Sequence, residues 1–193
     1  GMAVSVPAVL RAKTSPASSQ SSSPNHPTGG ASPHPNNNRS NMTHFIFDDG
    51  GREAAGFKGM TNDCVTRAIT IATGTPYQEV YDALFAGIRD LEANGRCKVA
   101  RRLQAKARGC AGTTPRNRVH KKVYKPYLEG VLGWQWVPTM QIGQGCKVHL
   151  RADELPSGRL VVAVSRHHVA VIDGVIHDLY DCSRDGKRCV YGY

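Results

Sequence analysis

The sequence predicts an α+β fold in which helices come first and an antiparallel β-sheet follows. Residues 61–74 and 75–93 each place apolar side chains at the three- and four-residue spacing of an amphipathic helix. Residues 159–179 contain short runs rich in valine and isoleucine, which favour strands. The dipeptide Asp173-Gly174 separates two of these runs, and Asp-Gly between apolar runs is a strong signal for a two-residue hairpin turn.

The first 43 residues are predicted to be a disordered tail, and residues 44–193 to be a single domain. The tail consists mainly of serine, proline, asparagine and glycine, with hardly any large apolar side chain after Leu10. Such a segment cannot bury enough apolar surface to offset its conformational entropy. Gly1-Met2 is typical of residues left by tag removal, and Met42 is a candidate natural start because domain-like sequence follows it.

The sequence shows no convincing signal peptide or membrane span, and this pattern predicts a cytoplasmic protein. No stretch approaches the ~18 apolar residues of a membrane span. The apolar run at 3–10 is short, contains Pro7 and has no basic residue ahead of it, so it is a poor signal peptide. Without a secretory signal, the six cysteines are expected to be reduced. No membrane partner and no cofactor are expected, and the oligomeric state is left open.

The positive charge of the chain is concentrated in one segment, residues 89–125. This segment holds twelve lysines and arginines against Asp90 and Glu92, so its excess of +10 (12 − 2) equals the formal net charge of the whole chain. A basic block of this kind suits an anionic partner such as nucleic acid or an acidic or phosphorylated peptide. The alternative is a solvated helix face with a loop, because no aromatic residues interleave the charges and no nucleic-acid motif accompanies them.

The remaining elements follow from local patterns. After the helix at 75–93, which Gly95 should end, residues 96–112 are either a third helix or a mobile basic segment, and 122–132 are a further helix. Strands are expected at 44–51 (with a turn), 134–138, 146–150, 159–165, 169–172, 175–179 and 189–193.

Cys64 is the first candidate for chemistry, because it lies in the first turn of the helix at 61–74. A thiol at a helix N-terminus feels the positive end of the dipole, which favours the nucleophilic thiolate. The alternative is a small buried apolar residue, since free cysteine is among the most buried residue types.

The hairpin at Asp173-Gly174 supplies the partners that a nucleophilic cysteine needs, a base and a group that orients the base. With a two-residue turn, His167 and Asp178 lie on the same face of the sheet as diagonal neighbours, whereas His168 points to the other face. A three-residue turn would reverse this parity and pair His168 with Asp178. His167 is therefore the predicted base, His168 the alternative base, and Asp181 a fallback orienting residue.

The order of a cysteine heading the first long helix, a histidine on a strand and an aspartate on the next resembles the papain-like cysteine peptidase superfamily. The amino-acid sequences at 62–68 (Asn-Asp-Cys-Val-Thr-Arg-Ala), 137–140 and 165–174 also resemble those of uncharacterised bacterial and phage proteins. The resemblance covers about residue 44 to the end. It implies a fold of helices packed on an antiparallel sheet, with Cys64 as nucleophile, His167 as general base and Asp178 as orienting acid.

One position departs from the papain-like pattern. Those peptidases place a glutamine several residues before the cysteine to stabilise the oxyanion, and here that region reads Gly56-Phe57-Lys58-Gly59. Asn62 is the candidate substitute, with the Cys64 backbone N–H and Lys58 as alternatives.

The sequence therefore predicts two alternative functions. The first is a hydrolase, peptidase or acyl transferase acting on a peptide or other acyl substrate through a Cys64-His167-Asp178 triad. The second is a non-catalytic papain-like binding module that uses the basic surface at 89–125 for nucleic acid or an acidic protein.

A metal site is not expected, although Cys146-Lys147-Val148-His149 is a C-x-x-H pattern to which Cys182 and Cys189 could add ligands. Structural zinc sites use tighter paired spacings, and residues three apart on a strand face opposite sides.

Overall fold

The computed structural model describes residues 44–59, 61–109 and 112–193, all of which belong to one compact unit spanning residues 39–193. The predicted tail at 1–43 lies outside the described residues, as does Cys110. In chain order the elements are β1 (Phe45–Phe47), α1 (Cys64–Thr73), α2 (Tyr77–Asn94), α3 (Lys98–Arg108), α4 (Lys121–Pro126), β2 (Arg159–Val164), β3 (His167–Ile172), β4 (Val175–Asp178) and β5 (Val190–Gly192).

The sheet has the order β1-β4-β3-β2-β5, and it is mixed, which corrects one part of the prediction. The pairs β2–β3, β3–β4 and β2–β5 are antiparallel, but β1 runs parallel to β4, with Phe45 opposite Ile176. The parallel pair arises because the chain leaves β1, passes through all four helices and the β2–β3 hairpin, and returns to the same edge. The α+β class is confirmed, and the wholly antiparallel sheet is wrong at this edge.

The β3–β4 hairpin has the predicted two-residue turn. Asp173 and Gly174 both have positive φ, 49° and 81°, which is the backbone that this turn type requires. Ile172 then pairs with Val175 and Ala170 with His177. The predicted register is confirmed, and it places His167 and Asp178 on one face.

Helix α1 is the central element of the helical layer, and it packs on β3 and β2. Its predicted apolar stripe, Val65, Ala68, Ile69 and Ala72, is buried. Gly74 ends the helix in the left-handed conformation, with φ 72°, and its N–H bonds to the Thr70 carbonyl. Helix α2 packs on α1. Of its predicted buried stripe, Val80, Leu84 and Ile88 are buried and Leu91 is partly buried. Both helices are confirmed.

Different cores cover the two faces of the sheet because neighbouring strand residues point in opposite directions. On one face, Val161 and Ala170 pack with the buried residues of α1, α2 and α4. On the other face, Val162, Val169 and Ile176 pack with residues of the loop between α4 and β2, including Leu150 and Leu155.

Three local predictions are corrected. Residues 146–150 do not form a strand and make only an isolated bridge between His149 and Cys189. Residues 134–138 likewise contribute a single bridge, from Pro138 to Gly192. The helix expected at 122–132 is α-helical only to Pro126 and continues as a π-helical turn, because proline has no N–H to continue the regular ladder.

The cysteines also depart from expectation. Cys146 and Cys189 form a disulfide, which contradicts the prediction that all six thiols are reduced, whereas Cys64, Cys97 and Cys182 are free. A disulfide is typical of an oxidising environment and does not support a cytoplasmic location. The cytoplasmic location therefore stays a prediction from the sequence. Within the described part of the chain, no helix is both long enough and apolar enough to cross a bilayer.

Candidate active site

Cys64 is the first residue of α1, and its half-buried thiol faces the start of β3. The sulfur interacts with the side chains of both His167 and His168 and with the backbone of His168. Burial acts to raise the pKa of the thiol, but these hydrogen bonds and the charge of His167 outweigh it and lower the pKa to about 6. The Cys64 thiol is therefore largely ionised at neutral pH.

His167 is buried and joins the thiol to a carboxylate. Its Nε2 is hydrogen-bonded to Oδ2 of Asp178, and its side chain also interacts with Cys182 and Cys64. Burial alone lowers the pKa of an imidazole, but the hydrogen bonds to Asp178, Cys182 and Cys64 raise the pKa of His167 well above its ordinary value. With Cys64 titrating near pH 6, the two groups exist as a thiolate and an imidazolium across the neutral range.

Asp178 is also buried, and both of its oxygens are engaged. Oδ2 meets His167, whereas Oδ1 accepts from the Arg67 guanidinium at 2.9 Å and from the backbone N–H of Leu179 at 2.8 Å. Burial would raise the pKa of this carboxyl, but His167 and Arg67 together lower it. The carboxylate is therefore ionised and held in one orientation.

Arg67 extends the network into α1 and was not foreseen from the sequence. It lies one turn after Asp63, and its guanidinium bonds to Asp63 as well as to Asp178. The other Asp63 oxygen accepts from the Tyr77 hydroxyl at 2.8 Å and lies 3.7 Å from Arg52. The i, i+4 spacing of Asp63 and Arg67 around Cys64 was visible in the sequence, but their distant partner was not.

With the thiolate and imidazolium formed, the buried cluster contains three positive and three negative groups. The positive groups are Arg52, Arg67 and His167, and the negative groups are Asp63, Cys64 and Asp178. A neutral cluster reduces the cost of burying each charge, and here it favours the ionised form of the Cys64 thiol.

His168 occupies a different environment from His167. Its Nε2 is hydrogen-bonded to the Tyr124 hydroxyl at 3.0 Å, and the two rings meet edge to face with centroids 4.9 Å apart. Burial, and then the charge of Cys64, raises the pKa of Tyr124 to about 12, so this hydroxyl is protonated at neutral pH. His168 thus contacts the thiol but has no carboxylate to orient it.

Three other sequence candidates take secondary positions. Asn62 is exposed two residues before Cys64, and its backbone pairs with the loop at 116–118. Lys58 is exposed, and its carbonyl accepts from the Arg116 guanidinium. Asp181 accepts from the backbone N–H of Ser183 at 2.8 Å and does not contact His167.

A metal ion could be held only at the expense of this network. The ligand atoms of His167, Asp178 and Cys182 lie within 4.8 Å of one another. The two Asp178 oxygens are already bonded to His167 and to the Arg67 cation, so a metal would have to displace one of them. The zinc alternative at Cys146 and His149 is also weakened, because Cys146 and Cys189 are joined to each other.

A cleft of about 510 Å³ opens over Cys64. One wall carries the aromatic and apolar side chains of Trp136, Met140 and Tyr191. The Trp136 ring packs on the backbone of Gly192, where a Cβ atom would come within 2.3 Å of it. Apart from the thiol and the two histidines, the charged side chains that line the cleft are all basic. They come from two loops and α4: Arg118, Lys121, Lys125 and Arg166.

The basic segment at 89–125 is therefore divided between two surfaces. Arg118, Lys121 and Lys125 line the cleft, whereas five exposed cations project from α3. These five are Lys98, Arg101, Arg102, Lys106 and Arg108.

Comparisons of the chain with protein-family models, with curated proteins and with solved structures gave no match. The resemblance to papain-like peptidases therefore depends on the residues and geometry described above.

Proposed function

We propose that this protein is a papain-like cysteine hydrolase or acyl transferase that forms an acyl-enzyme on Cys64. The observation that carries the proposal is the line of contacts from the Cys64 thiol to His167 and from His167 to Asp178. This is the nucleophile, base and orienting group that covalent acyl transfer requires. His167 is the base rather than His168, because only His167 is hydrogen-bonded to a carboxylate.

In the first half of the reaction the Cys64 thiolate attacks the acyl carbon, and the carbonyl electron pair moves onto oxygen. The Cys64 backbone N–H, in the first turn of α1, and the Asn62 side chain are the proposed donors to this oxyanion. When the intermediate collapses, the bond to the leaving group breaks and the leaving group takes a proton from the His167 imidazolium.

In the second half, neutral His167 takes a proton from water, or from another acceptor nucleophile, as that nucleophile attacks the thioester. The carbon–sulfur bond breaks, the acid (with water) or the acylated acceptor is released, and Cys64 returns as a thiolate beside the His167 imidazolium. Tyr180 lies against the His167 ring, with centroids 5.5 Å apart.

The test uses the full chain with a fluorogenic peptide amide and a thioester of the same acyl group. We expect turnover by the wild type, loss of turnover in Cys64→Ala, and a decrease of about 100-fold or more in His167→Ala. Cys97→Ala is the matched control, because Cys97 is also a free cysteine at a helix start, and this variant should retain full activity. Equal turnover by wild type and Cys64→Ala, or no acyl adduct on Cys64 by mass spectrometry, would contradict the proposal.

A second candidate function is a binding module for nucleic acid or an acidic protein, favoured by α3. The ion pairs of the described residues include none of its five exposed cations. Binding of this kind must weaken steeply with salt because counterions are released from the nucleic acid. A gel-shift assay with DNA and RNA at low salt tests it, and no retention of either would rule out the nucleic-acid version.

A further inference from the structure

We infer that the cleft over Cys64 selects acyl substrates of acidic peptide character, with aspartate or glutamate side chains next to the reacting bond. This inference rests on the proposed function and adds a substrate class to it. Four cations line the cleft, and the described residues that line it include no aspartate or glutamate.

Two of the four cations come from backbone segments next to the candidate catalytic residues. Arg166 is the neighbour of His167, at the turn between β2 and β3. The Arg118 backbone N–H donates to the Asn62 carbonyl at 3.1 Å, which ties Arg118 to the residue two positions before Cys64. Both arginines are exposed and line the cleft, so their charges are accessible to a substrate bound over Cys64.

The backbone at these two arginines provides an independent indication. Arg118 and Arg166 have φ angles of 67° and 59°, in the left-handed region that side chains other than glycine, asparagine and aspartate rarely adopt. Such a conformation is strained, and strained residues of this kind cluster at functional sites. Glycine would relieve the strain at either position, but it would remove a cation from the cleft.

The other two cations come from α4. Lys121 is exposed, and the Lys125 ammonium lies over the Trp136 ring, 4.1 Å from its centroid. Neither forms an ion pair with any described residue, so both are available to a carboxylate. The adjoining wall of Trp136, Met140 and Tyr191 supplies apolar surface for the stems of the substrate side chains.

An acidic peptide fits this site better than a nucleic acid does. The cleft combines one aromatic and apolar wall with cations around a single nucleophile, which matches a short acyl segment with charged side chains. A nucleic acid would need a longer track of phosphate contacts, and the row of cations on α3 lies outside the cleft.

The experiment compares the full chain on two fluorogenic peptides that differ only in glutamate against glutamine beside the scissile bond. We expect kcat/KM to be about tenfold higher for the glutamate peptide, from several partly exposed pairs acting together. Arg118→Gln and Arg166→Gln should each reduce this preference about threefold, and Arg118→Lys should restore most of it. Lys187→Gln removes an exposed cation outside the cleft and should leave the preference unchanged. Equal kcat/KM for the two peptides would overturn the inference while leaving the hydrolase proposal intact.

A binding measurement separates the failure of this inference from the failure of the proposed function. Fluorescence anisotropy of a dye-labelled glutamate peptide with Cys64→Ala reports cleft binding without any turnover. Binding that weakens in Arg118→Gln and with salt supports the inference even if no substrate is cleaved. Binding that is unaffected by Arg118→Gln, or displacement by a single-stranded oligonucleotide but not by the glutamate peptide, would overturn it.

Discussion

Arg67 on α1 donates to Asp178 on β4 across 2.9 Å, although the two residues are 111 positions apart in the chain. This bond fixes the helix that carries Cys64 to the strand that carries the orienting carboxylate. Because Asp178 also bonds to His167, the Arg67 guanidinium links the helix that begins at Cys64 to the His167–Asp178 pair.

Replacing Arg67 tests this linkage. Arg67→Met removes the cation that neutralises Asp63 and Asp178, and leaves both carboxylates buried. We expect the free energy of unfolding to decrease by about 3–5 kcal/mol, measured by urea denaturation. Arg151→Met is the control, because the ion pairs of Arg151 with Asp153 and Glu154 lie at the surface, and this variant should unfold at nearly the wild-type urea concentration. A similar loss in both variants would show that the buried linkage contributes no particular stability.

The ionisation of Cys64 should appear in the pH dependence of alkylation. With a pKa of about 6, the iodoacetamide reaction of Cys64 should reach half its maximal rate near pH 6 and should continue rising only slightly above pH 7. Cys97 is the internal control, because its pKa is lowered mainly by hydrogen bonds from the backbone of Ala100, without a histidine partner. Peptide mass spectrometry after a short pulse of reagent gives both rates from one sample.

In His167→Ala the Cys64 midpoint should move towards higher pH, whereas the Cys97 profile should stay in place. Identical profiles for the two cysteines in the wild type would contradict the assignment of the Cys64 thiolate to its histidine partners.

Asp178→Asn tests the orienting carboxylate. Without the negative charge, the pKa of His167 should fall and that of Cys64 should rise, because the imidazolium is less stable. At pH 5, each unit of rise in the Cys64 pKa lowers the thiolate fraction about tenfold, which the alkylation rate reports. Asp181→Asn is the matched control and should alkylate at the wild-type rate, because Asp181 bonds to Ser183 instead.

Asp178→Asn should also change how the free energy of unfolding depends on pH in the acid range. The pKa of Asp178 is depressed in the folded protein, so its charge favours folding above its unfolded-state pKa of about 4. That contribution is lost as the pH falls through the lower native value. The difference in unfolding free energy between wild type and Asp178→Asn should therefore be largest above pH 4 and shrink below it.

The hairpin turn offers a test of local packing. Gly174 and Gly143 both have φ 81°, but a Cβ on Gly174 would lie 2.9 Å from the Ala152 Cβ, whereas one on Gly143 would meet no atom within 4 Å. Gly143→Ala should cost about 1–2 kcal/mol from the left-handed backbone alone. Gly174→Ala should cost about 1–3 kcal/mol more, from the additional steric contact, as measured by thermal unfolding. Equal decreases in the free energy of unfolding for the two variants would show that the loop around Ala152 moves to accept the added methyl group without an energetic penalty.

Local patterns predicted much of this fold because the interactions behind them are local. Asp173-Gly174 determined the turn length, and the turn length determined which of two adjacent histidines shares a face with Asp178. The spacing of apolar residues gave α1 and α2 for the same reason, since each buries one continuous face.

The features that were missed or mistaken depend on contacts between distant segments. Arg67 and Asp178 lie on different elements, and no local pattern relates them. Residues 146–150 alternate as a strand does, but they find only one bridging partner, at Cys189, so the pattern is not extended into a ladder. The parallel pairing of β1 with β4 likewise depends on the path of the whole chain.

The Trp136 ring packs on Gly192, so the size of residue 192 determines where this wall of the cleft lies. A single added methyl group at residue 192 would force the indole away from β5, and the indole lines both the Cys64 cleft and a second cavity beside Trp134. Lys125, which rests on the same ring, would be displaced with it. Variation at residue 192 would therefore change the shape of the cleft without touching the charge network around Cys64.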